Sequence, residues 1–181
     1  MKSLIAGVDE VGRGCLAGPV IAAAVILKKK IANLDDSKKL SSNKREELSM
    51  IIIQNSYYAF GSASPEEIDS INILQASLLA MKRAILNLPI IPDEVLVDGN
   101  QKPDIDLPTQ TIIGGDSLIA EISAASIIAK VYRDNLMIEF NNKYPNYGFA
   151  QHKGYGTRAH LESIKSFGYC SIHRKTFKGV I

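Results

Sequence analysis

Four carboxylates stand where chemistry is plausible: Asp9, Glu10, Asp98 and Asp116. Asp9 and Glu10 end the apolar run Leu4-Ile5-Ala6-Gly7-Val8, which reads as a buried strand, and a turn, Gly12-Arg13-Gly14, follows. Asp98 ends a second apolar run, Val95-Leu96-Val97, and is followed by Gly99, while Asp116 follows Gly114-Gly115. A carboxylate withdrawn from water needs a counter-charge, which a divalent cation would supply. Each acid also has a plainer local reading. Asp9 and Glu10 could form a solvated turn, Asp98 a turn former after a strand, and Asp116 a helix N-cap. Side chains alternate along a strand, so Asp9 and Glu10 are expected to converge only if pairing breaks there, for which Gly12 and Gly14 supply a reason. Two strands ending alike would set Asp98 beside Asp9 if they are neighbours in one sheet.

Cations and one aromatic form a second group. Lys38 and Lys39, in the polar loop Asp36-Ser37-Lys38-Lys39-Leu40, suit either phosphate contacts or a solvated surface. His152-Lys153-Gly154-Tyr155-Gly156-Thr157-Arg158 presents a ring between cations on a glycine-framed loop, a platform for a sugar or base. Residues 152–181 carry six Lys and Arg against one Glu, although the whole chain has a formal charge of only +2. A basic C-terminal segment facing an acidic body suits a polyanion held by one part and cut by another, and equally a solvated basic tail. Gly12, Gly14 and Gly18, with Asp36 further on, superficially match a dinucleotide-binding fingerprint. That fingerprint needs a helix at the glycines, whereas Pro19 and a strand-like run follow, so a nicotinamide enzyme is a weak alternative.

The elements that must position these residues are legible in outline. Pro19 to Leu27 is apolar throughout and reads as a strand pairing with the first, with Pro tolerated at its start. Asn43 with Glu46 is expected to cap a helix running to about Gln54, and Tyr57 to Ala63 reads as a strand. Ser64-Pro65-Glu66-Glu67 is a strong helix start, and Ile71, Leu74, Leu78, Met81 and Ile85 recur at helical spacing as its core stripe. Pro89 and Pro92 end that helix before the strand at 94–98. A polar loop and a strand from Thr109 to Ile113 follow. Gly114 to Ser117 is expected to open a long helix to about Phe140, with Asp134 paired to Lys130 four residues earlier. Residues 144–156 read as an ordered loop, after which Thr157 caps a helix carrying Leu161 and Ile164.

With 181 residues, 46% hydrophobic and 22% charged, the chain suits one globular domain, 1–181, rather than a disordered chain. No apolar run approaches the roughly 20 residues that span a bilayer, and Asp9 and Glu10 interrupt any signal-peptide pattern. A cytoplasmic protein is expected, with no membrane partner. Cys15 and Cys170 suit a reducing compartment and lack metal-ligand companions at finger spacing, so both read as structural.

Taken together the segments resemble ribonuclease HII, the bacterial type 2 ribonuclease H. The resemblance rests on Asp9-Glu10-x-Gly12-Arg13-Gly14, Asp36-Ser37-Lys38-Lys39-Leu40, Ile71-Asn72-Ile73-Leu74-Gln75-Ala76, Val97-Asp98-Gly99 and Gly115-Asp116 leading into Ser123-Ala124-Ala125-Ser126-Ile127. It continues through His152-Lys153-Gly154-Tyr155-Gly156-Thr157 and His173-Arg174, in family order over almost the whole chain. It implies an α/β ribonuclease H-like fold, a mixed sheet flanked by helices, with a small helical C-terminal part and residues 144–181 as a basic substrate-binding segment. It also implies endonucleolytic cleavage of RNA in RNA-DNA hybrids and at single ribonucleotides in duplex DNA, by a protein taken as a monomer. Asp9, Glu10, Asp98 and Asp116 match the family's catalytic, metal-binding acids. Gly12, Arg13 and Gly14 match the loop that senses the 2′-hydroxyl, and Tyr155 matches the ring that packs on the next sugar. Lys38, Lys39 and Arg158 complete the expected substrate contacts. The implied cofactor is Mg²⁺ or Mn²⁺ in a two-metal site, consistent with an oxygen-only ligand set. The chain stops eight residues after His173, so terminal extensions found in some relatives are expected to be absent, which bears on affinity more than chemistry. A ribonuclease HIII-like enzyme, disfavoured by Arg13 between the glycines, and a non-cleaving nucleic-acid binder remain as alternatives.

Overall fold

In the computed structural model, which describes residues 3–32, 34 and 41–181, a five-stranded sheet carries the acids at one end. The strands are β1 (Ile5–Val11), β2 (Val20–Leu27), β3 (Ser56–Ala63), β4 (Glu94–Asp98) and β5 (Thr109–Ile112), in the order β3-β2-β1-β4-β5. β1 to β3 pair antiparallel, whereas β1, β4 and β5 run parallel. β2 is apolar along its whole length because both of its faces are covered. Ala22, Ala24 and Ile26 join the core beneath α2 (Pro65–Leu86), and Ala23 and Val25 join that beneath α1 (Ser42–Gln54) and α3 (Ala120–Lys143). A third cluster, including Met137, Tyr147, Phe149 and Ile164, holds the C-terminal part, with α4 (Phe149–His152) and α5 (Arg158–Phe167). This is the expected mixed sheet flanked by helices.

Glycines let two helices approach the sheet closely. A Cβ on Gly7 would lie 2.1 Å from the Glu121 backbone of α3, and one on Gly61 would lie 2.1 Å from the Ala80 carbonyl of α2. The Ser64 capping box forms as expected, with Glu67 N–H donating to Ser64 Oγ at 3.2 Å and Ser64 N–H to Glu67 Oε2 at 2.9 Å. Thr157 likewise caps α5.

Several local expectations are corrected. The cap of α1 is Ser41 rather than Asn43, its Oγ accepting from Lys44 N–H. The buried stripe of α2 runs through Ile68, Ala76, Ala80, Met81, Ala84 and Ile85, while Ile71 is exposed. The cause is Asn72, whose left-handed backbone (φ 66) breaks the helical phase, while its Oδ1 accepts from Leu74 N–H and Gln75 N–H. Gly115–Ser117 forms a separate 3-10 turn, and the N-cap of α3 is Ile119, so Asp116 does not cap that helix. The stretch 144–156 contains a 3-10 turn, Pro145–Tyr147, and the short α4.

Candidate active site

Asp9 and Asp98 leave neighbouring parallel strands at matching levels. The β1–β4 register runs from Ile5↔Glu94 to Val8↔Val97, so the next step in each strand is an aspartate. The expected break in pairing is only half present. Pairing with β4 stops at Val8, but β1 continues against β2 through Val11↔Ile21. Asp9 and Glu10 therefore depart in regular alternation, and it is the end of the β4 pairing, not a broken strand, that opens space for them.

Asp9 is buried, 7% exposed, and its Oδ1 accepts from Glu10 N–H at 2.7 Å. Burial, reinforced by the charges of Glu10 and Asp98, pushes its carboxyl up to about 8, against the lowering effect of a Ser126 hydrogen bond. Glu10 is raised too, first by burial, with Arg13 opposing and Asp98 adding to the rise. Its Oε1 accepts from Arg13 Nη1 at 3.0 Å. Asp98 Oδ1 accepts from Gly115 N–H at 2.7 Å. Asp9, Glu10 and Asp98 thus share one electrostatic neighbourhood. Asp116, 6% exposed, joins them at one remove, because the residue before it holds Asp98. Asp116 Oδ1 lies 3.4 Å from Ser117 Oγ, and Asp116 lines a separate cavity of about 440 Å³ with Lys30, Leu34 and Leu118.

The donors suit a divalent cation by their chemistry. They are all oxygens, and one is desolvated beside two others of like charge, a situation that an added positive charge relieves. Among the described residues no three His, Cys, Asp or Glu side chains close into a ready-made cluster. Mg²⁺ does not demand one, since it keeps several waters and is held by one or two carboxylates plus substrate phosphate.

Beside Glu10 a cleft of about 380 Å³ is lined by Val11, Arg45, Ser126, Lys130 and Tyr155. The structure brings Tyr155 to the acids by pairing its backbone with Cys15, just after the glycine turn. Tyr155 is 42% exposed, with Lys130 Nζ 5.9 Å from its ring centroid, and Lys130 pairs with Asp134 at 2.7 Å as the sequence spacing implies. Gly12 is buried, while Arg13 and Gly14 are exposed. Arg158 is not brought to this cleft's lining; its Nε donates to Glu162 Oε1 at 2.8 Å on an exposed face. Lys38 and Lys39, with Asp36, lie outside the described residues.

The basic C-terminal segment is less available than its composition implies. Arg174 is fully buried, and its guanidinium donates to Gly12 O at 2.7 Å, Arg13 O at 2.8 Å and Gly18 O at 2.9 Å. Lys153 Nζ turns back to the Ala150 carbonyl. Sequence reading missed Arg133 and underread Arg174, because arginine is a surface residue by default and only tertiary structure supplies the carbonyls that bury it. Its place on one helical face between Ala129 and Met137, each four residues away, was the one available signal for Arg133.

Comparison with known proteins identifies the family and the fold. The Ribonuclease HII family model matches residues 6–180. Ribonuclease HII of Coxiella burnetii is 57% identical over 180 residues, covering 98% of this chain and 89% of its own length. That of Shewanella amazonensis is 54% identical over 179 residues, covering 97% and 87%. Among solved structures, the ribonuclease H2 of Pyrococcus horikoshii OT3 superposes with a TM-score of 0.83 at 26% identity, covering 97% of this chain and 94% of that one. The RNase HII of Archaeoglobus fulgidus, solved in complex with PCNA, gives 0.75 at 27% identity, covering 97% and 95%. Bst-RNase HIII in complex with Mn²⁺ gives 0.74 at 19% identity, covering 98% of this chain and 68% of that one, a likeness of fold alone.

Fold and relatives together define a hydrolase of the ribonuclease H type. Within that class the chain belongs to the ribonuclease HII family. The HIII, nicotinamide and non-cleaving alternatives fall away. No helix among the described residues is long and apolar enough to cross a membrane.

Proposed function

We propose that this ribonuclease cuts the RNA strand of RNA-DNA hybrids and incises duplex DNA on the 5′ side of single embedded ribonucleotides, leaving 3′-hydroxyl and 5′-phosphate ends. The observation that carries the reading is the desolvated Asp9 carboxyl, flanked by Glu10 and Asp98 at the ends of β1 and β4, beside a glycine turn and a cleft lined by Tyr155. In this reading Asp9, Glu10, Asp98 and Asp116 hold divalent cations, Mg²⁺ or Mn²⁺. When bound, two such ions supply activation of the attacking water and stabilisation of the leaving oxygen.

The chain's own residues select and hold the substrate. Backbone groups of Gly12, Arg13 and Gly14 approach the ribose closely enough to sense its 2′-hydroxyl, both a donor and an acceptor, for which glycine leaves room. Arg13, tethered to Glu10, anchors phosphate beside the acids. Tyr155 covers the next sugar from across the cleft. Lys38, Lys39 and Arg158 contact phosphates further out, with 144–181 as the substrate-binding segment of a single domain. A monomer in the cytoplasm is part of this reading, and the two free cysteines suit a reducing compartment.

The decisive assay uses a DNA duplex containing one ribonucleotide, with Mg²⁺ or Mn²⁺ and again with a chelator. Metal-dependent incision 5′ to the ribonucleotide is expected; equal cutting of an all-DNA duplex would reject the selectivity. Asp98→Asn should lower kcat by about 10³-fold, because removing a cation ligand forfeits several kcal/mol of transition-state stabilisation, while duplex affinity is largely kept. Normal turnover by that variant would remove Asp98 from the site.

A further inference from the structure

Two arginines are buried behind the glycine turn with no solvent exposure, and among the described residues neither forms an ion pair. Among the described residues, all of their side-chain hydrogen bonds go to backbone carbonyls. Arg174, after α5, donates to Gly12, Arg13 and Gly18. Arg133, on α3, donates through Nε to Pro19 O at 3.0 Å, through Nη1 to Lys153 O at 2.8 Å and through Nη2 to Ala17 O at 3.0 Å. Five of these six carbonyls lie between Gly12 and Pro19, and the sixth lies in the Tyr155 loop. Burying two guanidinium groups is costly, and Arg174 is held down to about 10 chiefly by desolvation. Arginine spreads its donors over a fixed planar fork that reaches carbonyls of three separate residues, which the compact ammonium of lysine does not.

The arrangement fixes where the turn aims its amides. In a trans peptide the N–H lies opposite the preceding C=O. With Gly12 O and Arg13 O drawn inward to Arg174, the N–H groups of Arg13 and Gly14 face the other way, on the side where both residues are exposed. Gly12 itself fits only because it lacks a side chain: its φ is +90, and a Cβ there would lie 2.2 Å from Arg133 Nε.

We propose that Arg174 and Arg133 are positioning residues for ribose recognition. Arg174 sets the outward direction of the Arg13 and Gly14 amides, and Arg133 locks the segment behind that turn to the loop that carries Tyr155. This rests on the proposed role of the glycine turn in sensing the 2′-hydroxyl. A lysine retains the charge at either site but not the fork, so the turn shifts while the acids and surface cations remain.

The test compares wild type, Arg174→Lys and Arg133→Lys for thermal midpoint, for kcat/KM per folded molecule on the single-ribonucleotide duplex, and for the inhibition constant of an all-DNA duplex. A displacement near 1 Å costs about 10²-fold in rate, so Arg174→Lys should lose about that much kcat/KM, and Arg133→Lys about tenfold. The all-DNA inhibition constant should stay within about twofold, so that selectivity falls rather than general affinity. A purely structural role predicts a lower thermal midpoint with unchanged kcat/KM per folded molecule, and that result overturns the proposal for the variant showing it. If Arg174→Lys does not fold, Arg133→Lys alone decides on the same criterion. Failure of the wild-type protein to incise at the ribonucleotide would instead sink the functional reading beneath it.

Discussion

Asp9 occupies a position where its charge is unwelcome without a compensating cation. Its carboxyl is raised from the ordinary value to about 8 by burial and by the like charges of Glu10 and Asp98. A group whose folded value lies above its unfolded value favours folding fully at low pH and loses that contribution as pH rises through the folded value. The metal-free protein should therefore lose stability from Asp9 as pH climbs past 4 towards 8. Asp9→Asn keeps the size and removes the charge, so its metal-free thermal midpoint at pH 8 should exceed that of wild type by several degrees, with cleavage abolished. A midpoint equal to or below wild type would mean the charge is already compensated without metal. Tyr155 makes the opposite trade, since it is exposed and its backbone is held by Cys15. Tyr155→Ala should leave the thermal midpoint nearly unchanged and reduce kcat/KM on the single-ribonucleotide duplex by about tenfold, the worth of one aromatic contact with a nucleotide. Unchanged activity would discard the ring's role.

At the scale of elements, the site depends on how closely α3 lies on β1. Ser126 of α3 hydrogen-bonds Asp9, and the approach that allows it is set two residues earlier in the strand, where Gly7 meets the Glu121 backbone. Gly7→Ala cannot be absorbed by a side-chain rotation, because the collision is with backbone. It should destabilise by about 1–3 kcal/mol in urea titration and reduce cleavage beyond the loss of folded protein. An alanine variant with wild-type stability would show that α3 has freedom to retreat. What the sequence disclosed follows the same division. Features encoded within a few residues were legible: the five strands, the Ser64 capping box, the Thr157 cap and the Lys130–Asp134 pair. The neighbourhood of Asp9 and Asp98 was legible only conditionally, since parallel pairing of β1 with β4 belongs to topology. Features that reverse a local default were not legible. Asn72 shifts the buried face of α2 by adopting a backbone that asparagine seldom takes, the 3-10 turn detaches Asp116 from α3, and two arginines go inside.

Across the whole molecule, the C-terminal part that carries Tyr155 is held together internally by a chain of histidines, and this makes it sensitive to acid. Cys170 N–H donates to His173 Nδ1 at 3.0 Å, which makes Nδ1 an acceptor and leaves the proton on Nε2. That proton points to His160 Nε2 at 3.0 Å, so His160 carries its own proton on Nδ1 and donates it to Tyr155 O at 2.9 Å. His152, stacked on His160 at 4.3 Å, accepts from Gly154 N–H and donates to Tyr147 O at 2.6 Å. Further neighbours are Cys170 Sγ, 3.1 Å from His173 Nδ1, the rings of Tyr147 and Phe149, and Lys153 beside His152; Glu66 and Asp69 share a cavity with His173, but among the described residues no carboxylate is hydrogen-bonded to any of the three imidazoles. Burial holds all three imidazoles below their ordinary value, His160 down to about 4. Because these folded values lie below the unfolded 6.5, the unfolded chain binds protons first. The network's contribution is therefore complete above pH 6.5 and is lost as pH falls towards 4. The thermal midpoint should fall steadily between those limits. His160→Gln should start lower at pH 7 but change less over the same interval, since one of the uncompensated sites is gone. A variant whose midpoint falls as steeply as wild type would place the acid sensitivity elsewhere, and the Tyr155 loop would then owe its position to Arg133 and to its backbone pairing with Cys15.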